Sequence, residues 1–477
     1  PGVTSQTFTI QIWNNSADDQ PFETVQVELS NPTGGATLGD PAIATVTIID
    51  ETPVLLTQDP TALQTAGPNY TTYNWNFYGS NEGASIVRID VPCGVTGQLA
   101  VELLSPSINP TANPADVIRG FAETTTFALY QMPLGWQVSD GYPPTVGMLV
   151  TSANYLPNTG DATTWVSLPG ISNPTPCGIY LLVASVPNDD TNGWAVRSGW
   201  SGSGAPTVDL DGIPGSGDEI VQGILRQSLR HPPGTPVCTT FFQYVAPGLS
   251  SVTFHNFDLN DVGTAWVRYY PPGSLYDPTG QSGGIVGTAS GDGQWNNGSA
   301  TARGGDVIPL PQPGWWRIVT CTNSPSSENH FIQEGQTGVP LYVTLPPAPD
   351  VNVQATSSAS SVSTESSFDL TVSYDNLASG ITAGAARNLR LTITLPGGIS
   401  FASGACTAAP GPCTISSQVM TISVGLLAAG NGNTFTVPLV AGSVPVGAVP
   451  ITVQASATDQ SDHPYLWQDS TIVRIVP

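Results

Sequence analysis

Apolar and polar residues alternate with period two in short blocks along the chain. The blocks are TFTIQIW (7–13), TVQVELS (24–30), ATVTIID (44–50), SIVRIDV (85–91), QLAVELL (98–104), WVRYY (266–270), WWRIVTC (315–321), LYVTL (341–345), FDLTVSY (368–374), LRLTITL (389–395) and STIVRIV (470–476). A β-strand turns successive side chains to opposite faces. The pattern therefore gathers Val, Ile, Leu and aromatic residues on one side and Thr, Gln, Ser or Arg on the other. PTGG, PPG, LPGG and PGP separate the blocks. They read as turns, because Gly supplies positive φ and Pro fixes φ. Many short strands with such punctuation predict an all-β protein of tandem antiparallel β-sandwiches with almost no helix. One short helix is expected, over ADVIRGFAE (115–123).

Composition narrows the function. The 477 residues carry a net charge of −24, and all 11 basic side chains are Arg, with no Lys. Nucleic acid needs clustered cations, so it is excluded as a partner. No apolar run reaches the roughly 18 residues a membrane-spanning helix requires, so no membrane insertion is expected. Pro1 in place of Met reads as a processed or trimmed start. The 51 Gly and 44 Pro argue against long helices.

The six cysteines are Cys93, Cys177, Cys238, Cys321, Cys406 and Cys413. An even count without CxxC or Cys/His clusters fits disulfides better than metal or redox chemistry, and points to an extracellular setting. Cys406 and Cys413 flank a Pro/Gly turn and form the best-supported pair. Cys93–Cys177 and Cys238–Cys321 are the expected remainder. Buried free thiols are the alternative.

The middle of the chain repeats itself. PCGIYLLVASV (176–186) parallels QPGWWRIVTCT (312–322), with Gly178 and Gly314 in register. FALYQ (127–131) parallels WVRYY (266–270), and NGWAVRSG (192–199) parallels NHFIQEG (329–335). A repeat this long means two copies of one domain. With the Pro-rich LPPAPD (345–350) as a stiff linker, the expected domains are 1–52, 53–228, 229–346 and 347–477.

Three resemblances follow. Residues 22–50 resemble the second half of a Calx-beta domain, through Glu23, Leu29-Ser30-Asn31-Pro32, Gly34-Gly35-Ala36, Leu38-Gly39 and Asp50-Glu51. The block from Pro313 to Val319 is similar to pre-peptidase C-terminal-type jelly rolls, which implies two extracellular jelly-roll sandwiches in the middle. From about 348, FDLTVSYDN (368–376) followed by LRLTITLPGGISFAS (389–403) resembles the Ig-like modules of bacterial surface proteins. Together these imply a bacterial cell-surface or fibre-forming role. A half domain leaves an apolar face uncovered and edges open. Either the missing half lies upstream, or a neighbouring subunit supplies it.

Candidate chemistry is sparse. DLDGIPGSGDE reads as a calcium loop: Asp209, Asp211 and Gly212 fall at its third, fifth and sixth positions and Asp218 at the twelfth, with Glu219 beside it. Asp189 and Asp190 would complete the site if the loops meet. A solvated acidic loop is the alternative. Sequons at Asn14, Asn69 and Asn297 are candidate glycosylation sites. The histidines lack metal spacing, no HExxH or GxSxG occurs, and nothing singles out Asp258, Asp261 or Asp277 as glycoside-cleaving acids. Trp315 and Trp316 face opposite ways on a strand, so at most one is core.

These features predict a non-enzymatic structural subunit of an extracellular bacterial filament, polymerising head to tail with copies of itself. The alternatives are a cell-surface adhesin arm that binds glycan or protein, and an accessory region of a secreted hydrolase.

Overall fold

The computed structural model describes residues 22–28, 43–49, 69–72, 84–109, 124–160, 164–187, 192–202, 206–207, 209–211, 213, 215–226, 228–230, 237–259, 264–272, 274–277, 279–323, 330–336, 338–343, 345–379, 383–443 and 447–477. The regular elements among the described residues are all β-strands apart from one 3-10 turn, Val138–Asp140. The segment 115–123, expected to be helical, lies outside them.

Two compact units divide the chain, Pro1–Val54 and Leu55–Pro477. In the first, β1 (Phe22–Glu28) pairs antiparallel with β2 (Ile43–Ile49), from Phe22 opposite Ile49 to Glu28 opposite Ile43.

The second unit begins with two copies of one strand pattern. The first copy holds β3 (Asn69–Thr72), β4 (Ala84–Val91), β5 (Leu99–Leu104), β6 (Thr125–Gln131), β7 (Met148–Tyr155), β8 (Trp165–Ser167), β9 (Gly178–Ser185), β10 (Asn192–Trp200) and β11 (Val221–Arg226). The second holds β12 (Ser228–Arg230), β13 (Val237–Val245), β14 (Ser251–Phe257), β15 (Ala265–Tyr270), β16 (Ile285–Gly287), β17 (Asp306–Pro309), β18 (Gly314–Thr322) and β19 (His330–Glu334).

The copies fuse into one two-layer body. One layer is an eight-stranded sheet ordered β17-β14-β19-β12-β3-β10-β5-β8. Outward from its centre, the order is the same on both sides, strand for equivalent strand. The other layer consists of β11-β4-β9-β6-β7 and β13-β18-β15-β16. Leu341 and Tyr342 lie between these two sheets. Leu341 exchanges both backbone hydrogen bonds with Ile224 of β11, and Tyr342 does the same with Phe242 of β13. Both layers therefore run unbroken through the repeat, about a local two-fold between Ile224 and Leu341. Leu104, Ala195 and Ile224 of the first copy belong to the same core cluster as Phe241, Trp316 and Ile318 of the second.

Gly178 and Gly314 open the equivalent strands β9 and β18 with φ of 134° and 117°. Few side chains tolerate such values, which is why glycine stands at both places. The disulfides Cys93–Cys177 and Cys238–Cys321 link equivalent strand pairs, the first beyond Val91 and Gly178, the second at the other end of the ladder.

The last sandwich packs β20 (Val351–Ser357), β22 (Ser367–Asn376), β27 (Gly432–Ala441) and β24 (Ile399–Phe401) against a six-stranded sheet. That sheet is formed by β21 (Ser361–Ser363), β29 (Pro464–Val476), β28 (Gly447–Thr458), β23 (Ala386–Thr394), β26 (Val419–Leu427) and β25 (Cys413–Ser416). Alternation is clearest here: Phe368, Leu370, Val372 and Tyr374 of β22 are buried, as are Ile451, Val453 and Ala455 of β28. Cys406–Cys413 closes the short loop before β25.

Candidate functional site: an acidic loop and the joint beside it

The acidic loop is pinned at its base. Thr207 bridges Trp200 at the end of β10, and the buried Trp200 indole donates to Asp218 O at 2.7 Å. A side chain at Gly199 would collide with Thr207 O, so glycine lets the loop lie flush on the strand. Above this base the sequence folds back through Asx-type turns. Asp209 Oδ1 accepts the Asp211 N–H at 3.1 Å, and Asp211 Oδ1 accepts the Ile213 N–H at 2.8 Å. Ser216 donates to Asp218 Oδ1 at 2.9 Å.

These turns bring carboxylate oxygens of Asp209, Asp211 and Asp218 within 4.8 Å of one another. Burial, with added repulsion from Asp211 and Asp209, pushes the Asp218 carboxyl above its usual range. The structure thus brings together three of the six acids proposed from sequence. Glu219 is turned inward, where it accepts the N–H groups of Gly215 and Gly217; burial raises its carboxyl too. Asp189, Asp190 and Gly212 lie outside the described residues. Three clustered carboxylates form an all-oxygen donor set, the chemistry a hard cation such as calcium takes.

The loop also touches the last sandwich. Ala429 N–H donates to Gly215 O at 3.0 Å, Arg387 donates to Gly217 O, and Gln460 donates to Glu219 O. Next to it, the turn joining β28 to β29 carries a cluster that sequence reasoning missed. Asp459 Oδ1 accepts the N–H groups of Ser461 and His463, at 2.8 and 3.0 Å. Its Oδ2 meets His463 Nδ1 at 2.8 Å and accepts from Tyr465 at 3.1 Å. Ser461 Oγ donates to Asp90 Oδ2, and Asp90 is paired with Arg88 at 2.9 Å. Tyr244 donates to Pro464 O, and the Trp315 indole donates to the Tyr465 hydroxyl at 3.1 Å. The rings of Tyr244 and Trp315 stand 4.8 and 5.2 Å from that of His463. Trp316, the other half of the tryptophan pair, is buried in the repeat core. A cleft of about 710 Å3 opens beside this joint, lined among others by Arg88, Trp136, Arg387 and His463. From sequence the β28–β29 turn of the joint was met only through His463, one of four histidines without metal spacing.

The remaining candidates are scattered. All three expected disulfides are formed. Asn14 lies outside the described residues, and Asn69 begins β3. Asn297 is exposed, with its Nδ2 donating to Asp306 Oδ1 at 2.8 Å and Gly305 O at 3.2 Å. Burial, the largest single influence, opposes ionisation of Asp277, but four hydrogen bonds from Thr279 and Ser282 together outweigh it and hold its carboxyl well below the usual range. Asp258 Oδ1 accepts the Gly293 N–H at 2.6 Å, and Asp261 lies outside the described residues.

No family model matches this chain, and no curated protein matches it. Among solved structures it is similar to a β-glucosidase from Listeria innocua in complex with isofagomine, at 14% identity and a TM-score of 0.14, over 27% of this chain and 16% of that one. The Fcho1 Mu homology domain of Danio rerio, with bound Eps15 peptide, matches at 10% identity and a TM-score of 0.16, over 55% of this chain and 86% of that one. A Corynebacterium diphtheriae protein described as membrane anchored matches at 12% identity and a TM-score of 0.18, over 82% of this chain and 94% of that one. Superpositions this loose carry no functional argument.

Proposed function

We propose that this chain is a structural subunit of an extracellular bacterial filament, joined head to tail through strand or face complementation between subunits. One observation carries the proposal: both layers of the repeat run unbroken through its two copies, and the last sandwich is tied to that body by buried side chains. Within the fused repeat, load passes along continuous backbone ladders. Three disulfides support an oxidising, extracellular setting. Among the described residues no helix is long and apolar enough to cross a membrane.

The β1–β2 ladder is the element offered to a neighbour. Among the described residues each of its strands has one partner, and an isolated two-stranded ladder is marginal in water. A strand from the next subunit would satisfy its open edges. Such head-to-tail contacts do not close on themselves and so generate filaments. A calcium ion held by Asp209, Asp211 and Asp218 belongs to the same proposal. It would neutralise an acidic loop that rests on the last sandwich and so stiffen the subunit.

The proposal assigns the chain no reaction. Ser461 Oγ is committed to Asp90, and Asp459 and His463 bind one another within a turn. Negative-stain imaging of the purified full chain, with and without calcium, tests the proposal. Fibres of uniform width are expected; single particles at every concentration would refute it.

A further inference from the structure

The sheet edges of the fused repeat are unequal. Among the described residues its two layers end in four outer strands: β8 and β16 with 3 residues each, β17 with 4, and β7 with 8. Short edges are a common protection against pairing with another chain, and charged residues are another. β7 has neither. Among the described residues it pairs with β6 on one side only, and the whole stretch 141–160 around it carries no charged side chain, in a chain of net charge −24. A β-bulge opposite the Leu129–Tyr130 step leaves Val150 as an extra residue and twists that end of the edge, while Thr151–Tyr155 stays in regular register. Beside it Met148 and Leu149 stand outward, 63% and 52% exposed, and Leu156 past the other end is 62% exposed. The other long edge of the second unit, β20, is turned against β29, whose Asp469 accepts the Ala355 N–H at 2.8 Å.

We propose that β7 is a self-association edge, pairing antiparallel with β7 of a second copy of this chain about a two-fold axis. Two observations name a second copy as the occupant. First, the chain already contains such a contact: the equivalent strands β3 and β12 pair edge to edge and antiparallel, with Leu229 opposite Tyr70, joining two copies of one sandwich. Second, copies of so acidic a chain repel one another, and an uncharged edge is where they approach at least cost. Antiparallel pairing sets the Met148–Leu149 end of one strand against the Tyr155–Leu156 end of the other, so the exposed apolar groups at both ends are covered together. This contact closes on itself. It is distinct from the head-to-tail contact proposed above and does not depend on it.

Sedimentation of the full chain, below any concentration at which fibres are seen, tests the edge. The wild type is expected at twice the chain mass. Leu149→Lys and, separately, Met148→Lys place a charge on the edge and should each return the mass to one chain. Val286→Lys, on the short equivalent edge β16, should leave the doubled mass unchanged. Circular dichroism and the melting temperature check that each variant is folded, and both β7 positions are exposed enough to accept lysine. A wild type of single-chain mass at its highest soluble concentration overturns the proposal. So does a doubled mass that survives both β7 substitutions, or one that Val286→Lys abolishes.

Discussion

Ser461 Oγ donates a 2.9 Å hydrogen bond to Asp90 Oδ2 across 371 residues of sequence. It ties the β28–β29 turn to β4 of the first copy, and Arg88 completes the group from the same strand. All three side chains are buried. Buried charge makes the two ends of this bond unequal. Ser461→Ala removes one hydrogen bond and should cost about 1 kcal/mol. Asp90→Ala leaves the Arg88 guanidinium buried without its partner and should cost about 3–5 kcal/mol. Guanidinium unfolding of the full chain reads the difference. For Asp90→Ala the last sandwich is also expected to unfold at slightly lower denaturant than the repeat, because one of its ties is lost while those through Arg387, Gln460, Tyr244 and Trp315 remain. Equal costs for the two variants would mean that the pair is solvated.

Gly178 and Gly314 offer a matched pair of backbone tests. Both need positive φ, so Ala at either strains the strand start by about 1–2 kcal/mol. A Cβ at Gly178 meets nothing within 4 Å, whereas one at Gly314 comes within 3.0 Å of Pro272. Gly314→Ala should therefore lower the melting temperature more than Gly178→Ala. The reverse order would mean that Pro272 gives way and that its contact does not set the difference.

Those glycines also mark what was legible in the sequence. The repeat could be read because each copy needs a glycine at the same strand start, followed by an apolar strand: IYLLVASV in one, WWRIVTCT in the other. The continuous sheet could not be read. Its central strands are the short, polar segments NYTT and SLR, which carry no apolar alternation and gain their meaning only by pairing with each other. The joint was hidden for a related reason. Asp459, Ser461 and His463 satisfy a turn locally, and nothing in their spacing points to a distant partner. Only the distant Asp90, Tyr244 and Trp315 make this one an anchor. In the acidic loop, Asp209, Asp211 and Asp218, singled out by their spacing, lie together. The spacing did not foresee that Glu219 would be taken by the backbone of Gly215 and Gly217.

The three disulfides should differ in what they contribute. Cys93–Cys177 and Cys238–Cys321 span 84 and 83 residues, while Cys406–Cys413 spans 7. Chain-entropy estimates give about 4.6 kcal/mol for closing either long loop and about 2.5 kcal/mol for the short one. Replacing each pair by serine and measuring denaturant unfolding under oxidising conditions should give that order. A short bridge that matters as much as the long ones would locate its effect in the folded sandwich rather than in the unfolded chain.

Stability near the acidic loop should depend on pH with a definite sign. Burial raises the Asp218 and Glu219 carboxyls above their values in an unfolded chain. Such groups bind protons more tightly in the folded protein. Their contribution is therefore fully present below the ordinary carboxylate pKa of about 4 and is lost as pH rises through their folded values. At neutral pH the loop carries its full repulsion. Asp218→Asn removes the charge that Asp209 and Asp211 oppose. It should raise the melting temperature of the chelator-treated protein at pH 7, on the order of a degree or two, and have little effect near pH 4. Calcium should stabilise the wild type at pH 7 and fail to stabilise Asp218→Asn to the same extent, because one ligand oxygen has lost its charge. Differential scanning calorimetry at both pH values, with chelator and with calcium, separates the two effects. If the substitution stabilises at pH 7 but calcium never does, the loop is an acidic turn held by its own backbone. If the substitution destabilises equally at both pH values, the Ser216 hydrogen bond outweighs the repulsion, and the assigned cause of the raised carboxyl is wrong.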